Sequence, residues 1–232
     1  MTTNAPVSCT AAGKKARYYA HDRSDFLEWV GSRFERVLDI GCGVGSNAPW
    51  YRRHGAREVI GVEIDEASAV QARLVLDRVV AAPIEQAVRE LEGPFDLIVC
   101  ADVLEHLTDP WSVVRSLSGL ASGSTVLAVS IPNIRFLPAL MRIAIGGGFR
   151  YTTEGIFDVT HVRFFTRPDV DRLLRGGGWV PLRWGSRSYG PFASVRRIVG
   201  LASRGRTDQW LAEQIFVVAR PEGPGSIDRA TG

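Results

Sequence analysis

The chain has 232 residues, of which 45% are hydrophobic and 23% charged, and its formal net charge is +3. These values are typical of one folded domain with a sizeable core, and no apolar stretch approaches the roughly 20 residues of a membrane helix. The N-terminal positive charges precede no apolar run, which excludes a typical secretory signal. We therefore expect a cytoplasmic protein and, from so modest a charge, no nucleic-acid partner.

Apolar runs alternate with amphipathic segments along most of the chain. The runs predict strands at 36–40, 58–63, 78–82, 95–100, 125–131, 179–184 and 213–218, and the amphipathic segments predict helices at 25–33, 47–54, 66–76, 110–120 and 166–174. Apolar strands separated by helices indicate a Rossmann-like, doubly wound, mostly parallel seven-stranded sheet with helices on both faces. Ligands of such sheets bind at the carboxyl ends of the strands.

The remaining segments define the predicted domain boundaries. Residues 1–16 and 221–232 are polar and rich in Gly or Pro, and we expect disordered tails around a domain of residues 17–220. Within it, the irregular segment 132–165 is predicted to be a mobile, lid-like cover. The basic insertion 186–207 is predicted to carry, at 192–206, either an amphipathic helix on a membrane surface or a packed helix that contributes to a homodimer contact.

A glycine-rich turn follows the first predicted strand. Asp39 precedes Gly41, Gly43 and Gly45, and glycines let a ligand approach the backbone closely. In the G-x-G-x-x-G motif of a dinucleotide site, the third glycine comes one residue later than Gly45 does here. The Asp39 carboxylate would repel a pyrophosphate, but it suits the ammonium and sulfonium charges of S-adenosylmethionine (SAM).

The second strand ends in another acidic residue, Glu63, about twenty residues after the turn. Its carboxylate can accept both hydroxyls of a ribose. Asp65 is the better candidate for the N-cap of the following helix. The pair of motifs thus predicts a cofactor that carries a ribose.

The motifs VLDIGCGVG, VIGVEID and FDLIVCADVLEHL resemble, in this order and spacing, those of class I SAM-dependent methyltransferases. The D-x-L-E-H stretch is most similar to the branch that includes ubiquinone-type O-methyltransferases. The later segments SIPNIRF and GIFDVTHVRFFT resemble bacterial members associated with surface polysaccharide. The resemblance implies SAM as cofactor and a set of contacts: Asp39, Gly41, Gly43, Glu63 and Asp102, with Tyr19 closing over the methionine end.

The adenine side departs from the family pattern. After the third strand the family carries an acid that binds the adenine amino group, whereas this chain has Ala82, Pro83 and Ile84. Backbone groups near Ile84 or the side chain of Glu85 are expected to substitute. Cys42 and Ile64, which adjoin the acidic motifs, complete the predicted cofactor site.

Candidate reacting groups follow the fourth strand and recur far downstream. Glu105 and His106 follow Asp102 by three and four residues, a spacing that would put the three side chains on one face if this stretch is helical. Asp158 and His161 precede the last predicted helix. Methyl transfer to a hydroxyl needs a group that takes the proton, and histidine suits that role.

Three interpretations of these residues remain open. In the first, no metal is bound, and His161 or His106 is the general base, with Asp158 as a further catalytic candidate. In the second, Asp102, Glu105, His106 and His161 hold a divalent metal that lowers the pKa of the acceptor hydroxyl. In the third, Glu105 and His106 form structural hydrogen bonds.

The predicted function is transfer of a methyl group from SAM to an acceptor, with a hydroxyl of a sugar or glycan as the first expectation and polysaccharide biosynthesis as its setting. The alternatives are O-methylation of a small aromatic or quinone-like metabolite, or a non-catalytic SAM-binding module. The acceptor depends on the variable segments, which the glycine turn does not constrain.

Overall fold

A computed structural model describes residues 24–31, 33–188 and 208–223. Its strands are β1 (Arg36–Ile40), β2 (Glu58–Glu63), β3 (Arg78–Ala81), β4 (Phe95–Ala101), β5 (Ala121–Pro132), β6 (Trp179–Arg187) and β7 (Gln214–Pro221). They form one seven-stranded sheet in the order β3-β2-β1-β4-β5-β7-β6. The neighbours from β3 to β5 pair parallel, and β7 runs antiparallel to both β5 and β6. The predicted mostly parallel, doubly wound sheet is confirmed.

The helices connect these strands. They are α1 (Ser24–Val30), α2 (Ala48–Arg53), α3 (Glu66–Ala72), α4 (Ile84–Ala87), α5 (Pro110–Ser118), α6 (Leu137–Ala144), α7 (Arg167–Gly176) and α8 (Asp208–Leu211), with a single 3₁₀ turn at Leu104–His106. None of the helices in the part of the chain that the structure describes is long and apolar enough to cross a bilayer.

The sheet is buried on both faces. Successive side chains of β1 point to opposite sides, so Leu38 packs in one hydrophobic cluster and Val37 in the other. Because both faces are buried, the central strands are continuous apolar runs without alternating polar residues, and such runs could be predicted from the sequence.

The parallel register brings the ends of three strands to one edge. Ile40 of β1 lies opposite Val62 of β2 and Cys100 of β4. Residues 41, 63 and 101 are therefore level at the carboxyl edge, where a doubly wound sheet binds its ligand.

Several predicted boundaries were wrong by a few residues. Helix α3 ends at Ala72 rather than at 76, and helix α5 ends at Ser118 rather than at 120. Strand β5 begins at Ala121, four residues early, because the small polar residues 121–124 extend it without an apolar signal. The predicted cap is confirmed, since the Asp65 side chain accepts a hydrogen bond from Ser68 N at 2.8 Å.

The predicted lid-like segment 132–165 is not irregular throughout. It contains helix α6, whose Pro138 lies in the first turn, where proline is compatible with a helix. Leu137, Met141 and Ile145 are exposed at four-residue intervals, on one face of that helix. Whether the segment moves remains a prediction.

Other predicted segments lie at or beyond the limits of the described residues. Positions 186 and 187 of the basic insertion are the end of strand β6, and Pro221 ends β7 rather than beginning a tail. The rest of the insertion, including 192–206, and the tails 1–16 and 224–232 lie outside the described residues, and so does Tyr19. Membrane contact and a homodimer therefore remain predictions.

Candidate functional site

The glycine turn after β1 requires left-handed backbone at three positions. Gly41, Gly43 and Gly45 have φ values of 70°, 56° and 80°, a region that side-chain-bearing residues rarely adopt. The N–H groups of Gly41 and Cys42 both donate to Val62 O, at 2.8 and 3.1 Å. The turn is thereby tied to the end of β2.

The turn also touches the loop that carries the candidate reacting groups. A Cβ placed on Gly41 would lie 2.6 Å from Cγ2 of Val103, in the loop after β4. Real Cβ atoms do not approach so closely, so Gly41 lets the two loops meet. The predicted cofactor turn and the predicted reacting loop are neighbours in space.

Asp39 lies beneath this turn and is 2% exposed. Asn47 Nδ2 lies 3.5 Å from its Oδ2. Burial raises the pKa of Asp39 to about 7, the nearby Glu63 carboxylate adds to the rise, and Tyr51 and Asn47 counteract it in part. A cation bound here would relieve the unfavourable burial of this charge.

Glu63 ends β2 with its carboxylate held by backbone. Its Oε2 accepts from Gly43 N and its Oε1 from Asp65 N, both at 2.9 Å. The residue is 4% exposed. A carboxylate has about four acceptor sites, so two remain for the hydroxyls of a ribose. These bonds fix the orientation in which it would receive them.

The other predicted cofactor contacts differ in how far they are buried. Cys42 is buried with its Sγ against Gly61, so its side chain faces the core, while its N–H donates to Val62 O and its carbonyl accepts from Gly45 N. Ile64 is exposed beside Glu63. Ile84 is buried at the start of helix α4. Ile64 therefore offers an apolar surface at the pocket edge, whereas Cys42 contributes to the shape of the turn.

Asp102 directly follows β4 and has a φ of 55°, an uncommon conformation for a residue other than glycine. Its N–H donates to Ser130 O at 2.9 Å, and its Oδ1 accepts from Gln214 Nε2 and from Ser130 Oγ at 3.4 Å. Gln214 begins β7, so Asp102 is held from the β5 and β7 side of the sheet.

The structure brings together three of the four residues of the metal alternative. Ligand atoms of Glu105, His106 and His161 all lie within 4.8 Å of one another. Asp102 does not belong to this group, because Gln214 and Ser130 hold its carboxylate. The helical turn begins only at Leu104, so Asp102 lies outside it and the condition for a single helical face is not met.

The two histidines contact each other although they come from separate segments. Their ring centroids are 4.7 Å apart at an interplanar angle of 70°. His161 is buried, with Nε2 4.0 Å from Oε1 of the buried Glu105. His106 is half-buried and is the more accessible of the two rings.

Asp158, predicted as a further catalytic group, is fully buried. Its Oδ1 accepts from Thr160 N at 2.8 Å and from Thr160 Oγ1 at 2.6 Å. Thr160 in turn contacts His106, through its hydroxyl and its carbonyl, each 3.1 Å from Nδ1. Thr160 was missed in the sequence because threonine is common in loops and its neighbours His161 and Asp158 carry the chemical signal.

Comparison with known proteins identifies the family of this chain. The family described as "Methyltransferase domain" matches residues 12–183. A ubiquinone biosynthesis O-methyltransferase from Bordetella avium is 30% identical over 190 residues, which cover 76% of this chain and 77% of that protein. The chain belongs to the class I SAM-dependent methyltransferases. The prediction of a non-catalytic module is not supported, because the family and these relatives are methyltransferases.

Other relatives of this methyltransferase agree with that assignment. The Pseudomonas aeruginosa ubiquinone biosynthesis O-methyltransferase is 37% identical over 186 residues, 75% of this chain and 73% of the relative. A SAM-dependent methyltransferase from Archaeoglobus fulgidus has the same fold, with a TM-score of 0.61 at 19% identity over 90% of this chain and 95% of that one. Magnesium protoporphyrin IX methyltransferase from Synechocystis PCC 6803, with bound SAH, gives 0.59 at 19% identity, over 89% and 82%.

The pocket of this methyltransferase fits SAM chemically. Two buried carboxylates, Asp39 and Glu63, lie at the ends of adjacent strands. Asp39 suits the positive charges of the methionine end, and Glu63 suits the ribose hydroxyls. Burial raises the pKa of Asp39 because it disfavours the charged form, and a cationic ligand would stabilise that form.

Proposed function

We propose that this methyltransferase methylates a hydroxyl oxygen of a small aromatic, quinone-like metabolite. The observation that carries the proposal is the meeting of His106 and His161 beside the cofactor turn, in a chain 37% identical to ubiquinone biosynthesis O-methyltransferases. The sugar or glycan acceptor suggested by segments 130–136 and 155–166, with polysaccharide biosynthesis as its setting, has no counterpart among the relatives named above.

The acidity of the acceptor favours the aromatic alternative. A phenol has a pKa near 10, whereas the pKa of an unactivated hydroxyl is far higher and closer to that of water. A histidine with an ordinary pKa of about 6.5 is much closer to the phenol. Two histidines at the reacting loop therefore suit a phenolic hydroxyl better than a sugar hydroxyl.

The surroundings of the histidines also favour an apolar acceptor. A cavity of about 250 Å³ is lined by Phe136, Ala139, Ile156 and Phe157, and also by the charged residues Arg142, Glu154 and Glu213. Ile156 lies between this cavity and His161, since it lines the cavity and its carbonyl bonds Nδ1 of His161 at 3.0 Å. The lining provides apolar contacts for a ring or its substituents.

The proposed division of labour follows from burial and geometry. SAM supplies an electrophilic methyl group when it is bound. Asp39 and Glu63 orient its two ends, and the turn at Gly41 places it against the loop after β4. His106, the more accessible ring, takes the proton of the acceptor hydroxyl through Nε2. His161 and Glu105 lie behind it and stabilise the positive charge that develops.

The proposal is tested by turnover with a panel of catechols and hydroquinones and a matched panel of nucleotide sugars. We expect methylated products from the phenolic panel, detected by mass spectrometry with labelled SAM. Methylation confined to the sugar panel would refute the aromatic acceptor. A smaller test is SAM binding by calorimetry, which should be present whichever acceptor is used.

A further inference from the structure

Two loops are joined around His106 by backbone hydrogen bonds. The N–H groups of Val162 and Arg163 both donate to Glu105 O at 3.0 Å. The Arg163 Nε–H donates to Thr108 O at 3.1 Å. These bonds hold residues 160–163 against the loop that carries His106, and they place Thr160 beside its ring.

The direction of the hydrogen bonds at Thr160 is fixed by chemistry. Its hydroxyl has one proton, and that proton is donated to Asp158 Oδ1 at 2.6 Å. Toward Nδ1 of His106, 3.1 Å away, the same hydroxyl oxygen acts as an acceptor. The Thr160 carbonyl, also 3.1 Å from Nδ1, is an acceptor in every case.

Two acceptors therefore face the same ring nitrogen of His106. A neutral imidazole carries its proton on one nitrogen and a lone pair on the other. The proton belongs on Nδ1, where it meets both oxygens of Thr160, and the lone pair belongs on Nε2. The Nε2–H tautomer would place a lone pair against two acceptor oxygens.

We infer that Thr160, held by Asp158, is a positioning residue that fixes His106 in the Nδ1–H tautomer. Asp158 Oδ1 binds both the N–H and the hydroxyl of Thr160, so the buried carboxylate sets the direction of the whole chain of bonds. This leaves Nε2 as the basic atom of His106. The tautomer stands on the contacts alone, and its catalytic consequence rests on the proposed function.

His161 provides the internal comparison. Its Nδ1 bonds the Ile156 carbonyl at 3.0 Å, and a carbonyl also fixes the Nδ1–H form. Thr160 adds to this arrangement a side-chain acceptor that Asp158 orients. Substitution of the Thr160 side chain leaves the Thr160 carbonyl in place, so it should shift the tautomer equilibrium of His106 only in part and leave that of His161 unchanged.

The experiment is long-range ¹H–¹⁵N correlation spectroscopy of the full-length ¹⁵N-labelled chain. The chain has four histidines, and the loss of signals in His106→Gln and His161→Gln assigns the two rings. At a pH of about 8.5, well above the ordinary histidine pKa of about 6.5, we expect His106 to show a protonated Nδ1 and a bare Nε2. A protonated Nε2 on His106 in the unmodified chain would overturn the inference.

Variants test the contribution of the side chains. Thr160→Val keeps the shape and the carbonyl but removes the oriented hydroxyl, and we expect a detectable fraction of the Nε2–H form. Asp158→Ala should give a larger fraction, Thr160→Ser should restore the native spectrum, and the exposed Thr153→Val is the matched control. Native-like His106 spectra in a folded Thr160→Val chain would refute the role of the side chain, even if Asp158→Ala does not fold.

Activity separates this inference from the proposed function. With a phenolic acceptor that supports turnover, Thr160→Val should lower kcat about tenfold with little change in KM, a part of the 10²–10⁴-fold contribution of a general base. If no phenol is methylated, the proposed function fails while the tautomer measurement still decides the inference.

Discussion

The rings of His106 and His161 lie edge to face, with centroids 4.7 Å apart, and both direct Nδ1 at a backbone carbonyl. Glu105, next to His106 in the chain, lies instead 4.0 Å from Nε2 of His161. The carboxylate therefore supports the buried His161, and the half-buried His106 is the more accessible of the two rings. The two rings therefore have different surroundings.

Replacement of the histidines should affect turnover more than SAM binding. We expect His106→Gln and His161→Ala each to lower kcat by at least ~10²-fold, the usual contribution of a proton-transfer group or its support. SAM affinity, measured by calorimetry, should stay within a factor of about two. His54→Gln, which removes a histidine stacked on Trp50 away from the edge, is the control. Unchanged turnover of His161→Ala would remove that residue from the mechanism.

Chelation distinguishes general-base catalysis from metal-assisted catalysis. Because Glu105, His106 and His161 present ligand atoms within 4.8 Å of one another, a divalent ion is a chemically sensible alternative. We expect methyl transfer to survive exhaustive EDTA treatment and added Mg²⁺, Mn²⁺ or Zn²⁺ to leave the rate unchanged. Loss of activity with EDTA, restored by one of these ions, would establish the metal alternative.

The buried charge of Asp39 should reduce the stability of the ligand-free protein at neutral pH. Its pKa is about 7 in the folded chain, mainly because of burial, and 3.8 is the ordinary value. Between these values the unfolded chain has released the proton that the folded chain retains, so the free energy of unfolding falls as pH rises from about 4 to about 7. The loss is on the order of 4 kcal/mol, at about 1.4 kcal/mol per pKa unit.

Asp39→Asn should remove this dependence. We expect the variant to unfold at a higher denaturant concentration than the native chain at a pH of about 8 and to bind SAM at least about tenfold more weakly, since a charged partner of the ammonium is lost. Urea titrations across the pH range and calorimetry check the two halves. A variant that is less stable at every pH would contradict the assignment of a strained buried charge.

Glu63→Gln should weaken SAM and its demethylated product equally, because both carry the same ribose. A neutral amide accepts more weakly and places an N–H against one of the donors from Gly43 or Asp65. Hydrogen bonds to a charged group contribute about 1.5–3 kcal/mol, so affinity should fall about 10- to 100-fold. Glu66→Gln, at an exposed carboxylate that pairs with Arg73, is the matched control and should bind normally.

The strands of the central sheet could be predicted because each of them is buried on both faces. β1 and β2 match their predicted limits, since uninterrupted apolar residues such as Val37 and Leu38 leave no ambiguity. Helix α6 was missed because its apolar positions Leu137, Met141 and Ile145 face outward, so the usual relation between apolar period and core burial does not hold.

The candidate site was predictable where it depends on local sequence and not where it depends on tertiary contact. Asp39 and Glu63 follow from the ends of two strands. Three contacts of the site join distant segments. Glu105 lies near His161, Gln214 binds the Asp102 carboxylate, and Thr160 bonds His106. Only the sheet order and the loop paths decide such contacts, and one sequence gives no measure of them.

The position of β7 between β5 and β6 has a consequence for synthesis on the ribosome. Strand β6 is synthesised before β7. Until residues 214–221 emerge, the edges of β5 and β6 that pair with β7 have no hydrogen-bonding partner. Exposed strand edges favour association with other chains. Gln214, in the same late segment, also holds Asp102 at the reacting loop. A nascent chain that ends before this segment would therefore have an incomplete sheet and an unassembled site. Such a chain would be a substrate for chaperones.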